Sequence, residues 1–165
     1  MFGKKIFKFI FVTFILLTLV FVTYSTAEEK VTMHGTVVTT KYNQLEVDDE
    51  DGHVIAVTES KQVHFNKATG EKFPQVSKVI LDFNYKTGHG TLKSYAVMTS
   101  PSGDKIFTEG KGSPVEKGHW KGTYVYTKGT GKYEGIKGKG TWETQSLAPQ
   151  ISYMESEGVM ELPSR

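Results

Sequence analysis

Glycine placement constrains this chain more than any other feature. Ten of its 17 glycines lie between Gly103 and Gly140, and five of them crowd into Gly129–Gly140, GTGKYEGIKGKG. Glycine weakens strands and helices because it loses the most backbone freedom on folding. Such a density therefore implies tight turns with positive φ, bulges, or close backbone approach at a barrel corner. Two phosphate-binding patterns fail on the same residues. A G-x-G-x-x-G fingerprint starting at Gly129 meets Glu134 where its third glycine belongs, and no helical pattern follows to offer an N-terminus to a phosphate. A P-loop needs a glycine five residues ahead of its Gly-Lys pair, and Tyr126 and Tyr133 occupy those places. The run reads as a strand–turn–strand corner.

The chain after the first 27 residues reads as strand throughout. Val31–Thr40 is rich in β-branched residues, and His53–Glu59 follows the turn pair Asp51-Gly52. Ser77–Tyr85 alternates, with Val79, Leu81, Phe83 and Tyr85 on one side and Lys78, Ile80, Asp82 and Asn84 on the other. Thr91–Thr99, Lys105–Glu109, His119–Thr127, Gly138–Gln145 and Tyr153–Leu162 complete the set, while Lys67–Gln75 is a polar connection, irregular or helical. No segment shows apolar 3.6-residue periodicity. About eight strands linked by glycine-rich turns predict an all-β protein, a sandwich or a closed antiparallel barrel. Closure suits an exposed sheet because it leaves no edge open to aggregation.

The compartment is argued from the N-terminus. Lys4, Lys5 and Lys8 precede an apolar run from Phe9 to Val22, and Ser25 and Ala27 are small residues at the −3 and −1 positions. This pattern predicts a signal-peptide helix at residues 1–27, cut after Ala27, and a secreted or periplasmic single domain at 28–165. An uncut anchor is the rival reading, but the run falls short of the roughly 20 apolar residues that span a bilayer. There is no cysteine, so disulfides, thiolate zinc sites and a cysteine nucleophile are all excluded, and packing alone must hold the fold. The chain carries 20 Lys+Arg against 18 Asp+Glu. Without the three leader lysines the balance turns slightly acidic, so charge gives a nucleic-acid partner no support.

The corner GTGKYEGIKGKGTW, Gly129–Trp142, resembles that of the allene oxide cyclase/dirigent barrel-like proteins, closest to small exported bacterial members of no settled function. Asp51-Gly52-His53-Val54, Gly88–Tyr95 (with Ser94 in place of a glycine), Ser102–Phe107 and Glu157–Pro163 resemble further segments of the same family, so the likeness covers most of residues 50–163. The resemblance implies an eight-stranded antiparallel barrel, often with an apolar cavity. It also implies relatives that act as cyclases or guide radical coupling, and oligomers among the plant members. Their catalytic residues have no matching positions here, and a shared barrel does not transfer a reaction.

Three sets of residues carry what chemistry there is. Asp104, Glu109 and Glu143 stand in or beside strands. One of them, buried with a raised pKa, would be the general acid or base of a cyclase, and a Gln substitution at Glu109 or Glu143 would then abolish turnover. The alternative is outer-face charge paired with Lys105, Lys111 or Lys121, with Asp104 capping a turn. Trp120, Tyr124 and Tyr126 share one strand face and Trp142 lies on the next strand. They either line a cavity for a flat or oily ligand or fill the barrel as core. Lys128, Lys132, Lys137 and Lys139 with Tyr133 make a basic aromatic loop, a solubilising turn before it is a glycan or nucleic-acid surface. The five histidines show no metal-ligand spacing, and His53 and His89 are placed to brace glycine turns. No motif asks for a metal or cofactor. Three functions remain open on these residues: a binding protein for a small apolar or aromatic molecule, an isomerase or cyclase using the same cavity, and a structural protein with a filled barrel.

Overall fold

The computed structural model describes residues 27–163; the leader expected at residues 1–27 lies, apart from Ala27, outside them. Eight strands follow in order: β1 (Ala27–Glu46), β2 (His53–Asn66), β3 (Lys72–Asn84), β4 (His89–Thr99), β5 (Lys105–Glu116), β6 (His119–Gly129), β7 (Lys137–Ala148) and β8 (Ile151–Leu162), with one 3₁₀ turn at Gly131–Tyr133. Each strand pairs antiparallel with the next, and β8 returns to pair with β1, so the sheet closes as an up-and-down barrel. Among the described residues no helix is long and apolar enough to cross a membrane.

Closure settles the edge problem anticipated for this sheet, and antiparallel order puts the turns at two ends. The β2–β3, β4–β5 and β6–β7 connections share the lower end with Ala27 and Leu162. The glycine corner closes that end. Gly131 and Gly135 turn the chain at φ of 55° and 77°, conformations that cost a side chain dearly but glycine little. They drop Tyr133 and Ile136 into the barrel floor, where both pack with Val31, Phe73, Ile106 and Met160. Ile106 is 1 % exposed. The upper end is open. β8 pairs with β1 only as far as Val38, and beyond it β1 continues to Glu46 against β2 alone, standing above the rim.

The structure revises two expectations. Half of the polar connection Lys67–Gln75 is strand, since β3 begins at Lys72 and pairs with β2 from Phe65 upward. Its inward residues there are Phe73 and Gln75, one apolar and one polar, so no hydropathy alternation marks it. Tyr85 does not continue the apolar face of Val79, Leu81 and Phe83: β3 ends at Asn84, and Tyr85 is 56 % exposed in the turn.

Candidate functional site

The barrel encloses a cavity of about 280 Å³ above the packed floor. Its two walls differ in chemistry. On one side β6 and β7 present Trp120, Tyr124 and Tyr126, which share a face by alternation, and Trp142 of the next strand, and all four line the cavity. The rings have room because the inward positions beside them are glycine. A Cβ on Gly112 or on Gly122 would stand 2.5 Å from Trp142 Cζ2, and one on Gly140 or Gly158 would stand 2.5 Å from the Tyr124 hydroxyl. Glycine in these strands therefore makes space for rings, a second use beside the corner turns. Trp142 Nε1 donates to the Thr123 carbonyl at 3.3 Å, and the Tyr124 and Tyr126 hydroxyls lie 3.4 Å apart with their rings edge-on. Burial pushes both phenols above their ordinary pKa, Tyr126 the further, so both stay protonated.

The facing wall is built by β2 and β3 from neutral polar side chains. Ser60, Gln62, His64, Gln75 and Ser77 are all buried, all line the cavity, and bond to one another. Ser60 Oγ and Ser77 Oγ are 2.7 Å apart. Gln62 Nε2 donates to both, at 3.0 and 2.7 Å. Gln62 Oε1 lies 2.8 Å from His64 Nε2 and accepts from Gln75 Nε2 at 3.0 Å. His64 is 2 % exposed, and burial holds its pKa down at about 4, so the ring is neutral at any ordinary pH. These five residues were not singled out from the sequence. The signal was there in Thr58-x-Ser60-x-Gln62-x-His64, a period-2 run, but β2 was expected to stop at Glu59.

The three acids are placed elsewhere. Glu109 is an exposed residue of β5 with Lys93 Nζ at 4.0 Å. Glu143 points outward from β7 to Lys121 at 3.0 Å and His119 at 3.7 Å, and Lys121 holds its carboxyl below the usual range. Asp104 accepts from Ser102 Oγ at 2.9 Å and from the Lys132 amide at 3.4 Å, tying the β4–β5 turn to the glycine corner. The cavity lining contains no Asp, Glu, Lys or Arg among the described residues. The corner lysines lie on the surface; Lys128 and Lys132 sit over the Phe107 and Tyr133 rings. His53 braces the β1–β2 turn, with Nδ1 2.6 Å from Asp49 and Nε2 2.9 Å from Asp82; the two carboxylates raise its pKa, Asp82 first. Among the described residues no group of three or more His, Cys, Asp or Glu is placed to hold a metal ion.

No family model matches the sequence, and no curated protein matches it. Solved structures do. A conserved protein of unknown function from Rhodopseudomonas palustris superposes with a TM-score of 0.57 at 10 % identity, over 83 % of this chain and 99 % of that one. A pterocarpan synthase dirigent protein superposes with a TM-score of 0.51 at 9 % identity, over 86 % of this chain and 90 % of that one. At such identities the likeness is one of fold. The closed eight-stranded barrel described here has the fold of these two solved proteins, the second of them a dirigent protein.

Proposed function

We propose that this chain is an exported binding protein that holds a small, flat, uncharged molecule of aromatic character in the barrel. The observation that carries the reading is the cavity's lining. Four aromatic side chains face a neutral polar wall across about 280 Å³, and among the described residues no Asp, Glu, Lys or Arg enters it. Ring faces bind by dispersion and offset stacking against Trp and Tyr, polar edges bind the serine and amide groups, and a formal charge would be desolvated without a partner. The structural reading, a filled barrel, does not account for that volume. Export rests on the lysine-led apolar leader, and protein recovered from the host's periplasm or medium is expected to begin at Glu28. The direct test is native mass spectrometry of protein purified from its own host. A retained small molecule supports the proposal, and mass matching bare chain in every preparation refutes it.

A second reading, an isomerase or cyclase in the same cavity, draws on one specific observation: Tyr124 and Tyr126 are buried phenols that stay protonated beside the ligand space. They would supply the proton or hydrogen bond that the sequence assigned to a carboxylate. If turnover of a cavity ligand is found, Tyr124→Phe with Tyr126→Phe is expected to abolish it while leaving binding within a few-fold.

A further inference from the structure

We infer that the Ser60–Ser77 pair is a hydrogen-bond donor aimed into the cavity, and that the bound molecule is an uncharged planar compound that sets a carbonyl oxygen against it. The inference deepens the binding reading and rests on it. It follows from counting hydrogens, beginning with His64. His64 Nδ1 is buried and takes no hydrogen bond. A sealed N–H without an acceptor is rarer and costlier than a sealed lone pair, so the ring proton sits on Nε2. Nε2 therefore donates to Gln62 Oε1, which also accepts from Gln75. With its oxygen turned that way, Gln62 directs its amide nitrogen at the serines and spends both hydrogens, one on Ser60 Oγ and one on Ser77 Oγ.

The serines then hold two hydroxyl hydrogens between them and one shared bond, in which one hydroxyl donates to the other. One hydrogen is left over. No carbonyl, carboxylate or other side chain among the described residues receives it, and both serines line the cavity. A neutral hydroxyl donor, in a site lined by no Lys or Arg among the described residues, selects a neutral acceptor. A carboxylate would arrive with a charge that nothing there balances. The carbonyl of a fused-ring ketone lies in the ring plane, so the molecule meets the serines edge-on and keeps its faces for the aromatic side chains. Gln75 Oε1 also takes no hydrogen bond from the described residues, so a donor group beside that carbonyl has an acceptor.

Equilibrium dialysis of 9-fluorenone against fluorene tests this, since the two share one tricyclic frame and differ at the carbonyl. Wild type is expected to bind fluorenone about tenfold tighter, the worth of one well-placed hydrogen bond. The hydrogen count makes a distinctive demand on variants. In Ser60→Ala or Ser77→Ala the surviving hydroxyl no longer has a serine to bond, so its own hydrogen is free and the preference persists. Losing both serines also frees the two Gln62 amide hydrogens that they accept, so Gln62→Leu is added to the double variant, and there the preference falls to near one. A preference that survives this combined substitution, or that one single serine substitution removes, overturns the inference. So does equal affinity of wild type for both probes, which leaves the cavity reading standing. Failure of wild type to bind either probe overturns both. A second measurement needs no variant: bound to wild type, the fluorenone carbonyl stretch should shift to lower frequency than in hydrocarbon solvent, and an unshifted band overturns the assignment even if the combined variant does not fold.

Discussion

Two histidines at opposite ends of β2 shape the pH dependence of the fold, in opposite directions. His64 is buried and neutral, with its pKa held at about 4. The unfolded chain binds a proton there near 6.5, so between those values unfolding takes up a proton and stability falls as pH drops from 6.5 towards 4. A shift of that size corresponds to a loss on the order of 3 kcal/mol across the window. His53 behaves the other way. Its pKa is raised by Asp82 and Asp49, so its contribution is complete below 6.5 and disappears as pH rises through the folded value. Urea titrations from pH 4 to 9 check both at once. His64→Gln, which keeps a donor for Gln62, is expected to flatten the acid limb, and His53→Gln the alkaline limb. An acid limb unchanged in His64→Gln would mean that the ring is not a sealed, neutral group.

At the scale of single strands, glycine does two different jobs that composition cannot separate. In the corner it permits positive φ; within β5 to β8 it is the missing side chain that lets an interior ring lie flat against the wall. Gly122 shows the second use, because an added Cβ meets both Trp142 and the Lys111 carbonyl on the neighbouring strand. Gly122→Ala is expected to cost about 1–3 kcal/mol of stability, the usual penalty for overpacking. It should also displace the Trp142 indole, moving the tryptophan emission maximum and weakening binding of any cavity ligand. Gly70→Ala serves as the contrast. Its φ of 71° is strained for alanine, yet open space surrounds it, so it should lose stability without altering emission. The glycines announced a bent, ring-closing sheet; that several of them are cut-outs for Trp142 and Tyr124 depends on which strands meet, and no spacing along the chain encodes it.

For the molecule as a whole, closure sorts every side chain into enclosed or outward, and this sorting separates the aromatic candidates from the acidic ones. Trp120, Tyr124, Tyr126 and Trp142 are enclosed. Glu109 and Glu143 belong to the opposite faces of β5 and β7 and pair with lysines in solvent, where such pairs contribute little. Glu109→Gln and Glu143→Gln are accordingly expected to leave the affinity for a cavity ligand within about twofold, as read by dialysis. A large loss in either would show that these carboxylates reach the interior. The two rows of β2 explain why the site's polar half escaped notice. Ile55, Val57 and Val63 face solvent at 44 %, 51 % and 41 % exposure, while Thr58, Ser60, Gln62 and His64 are enclosed. The hydropathy contrast runs backwards there.

Strand class, the glycine corner, the absence of cysteine chemistry and the common face of Trp120, Tyr124 and Tyr126 were all properties of the sequence, because local backbone preference and period-2 spacing are written between near neighbours. Which face would be enclosed was not. A strand's alternation states that its two sides differ, and it points inward only if the interior is oily. Here the interior is partly polar and its hydrogen bonds run between β2 and β3, from Ser60 to Ser77 and from Gln62 to Gln75. Those partners meet only through the register of a closed sheet, so the serine–glutamine–histidine ladder, and with it the character of the cavity, was decided by the tertiary structure.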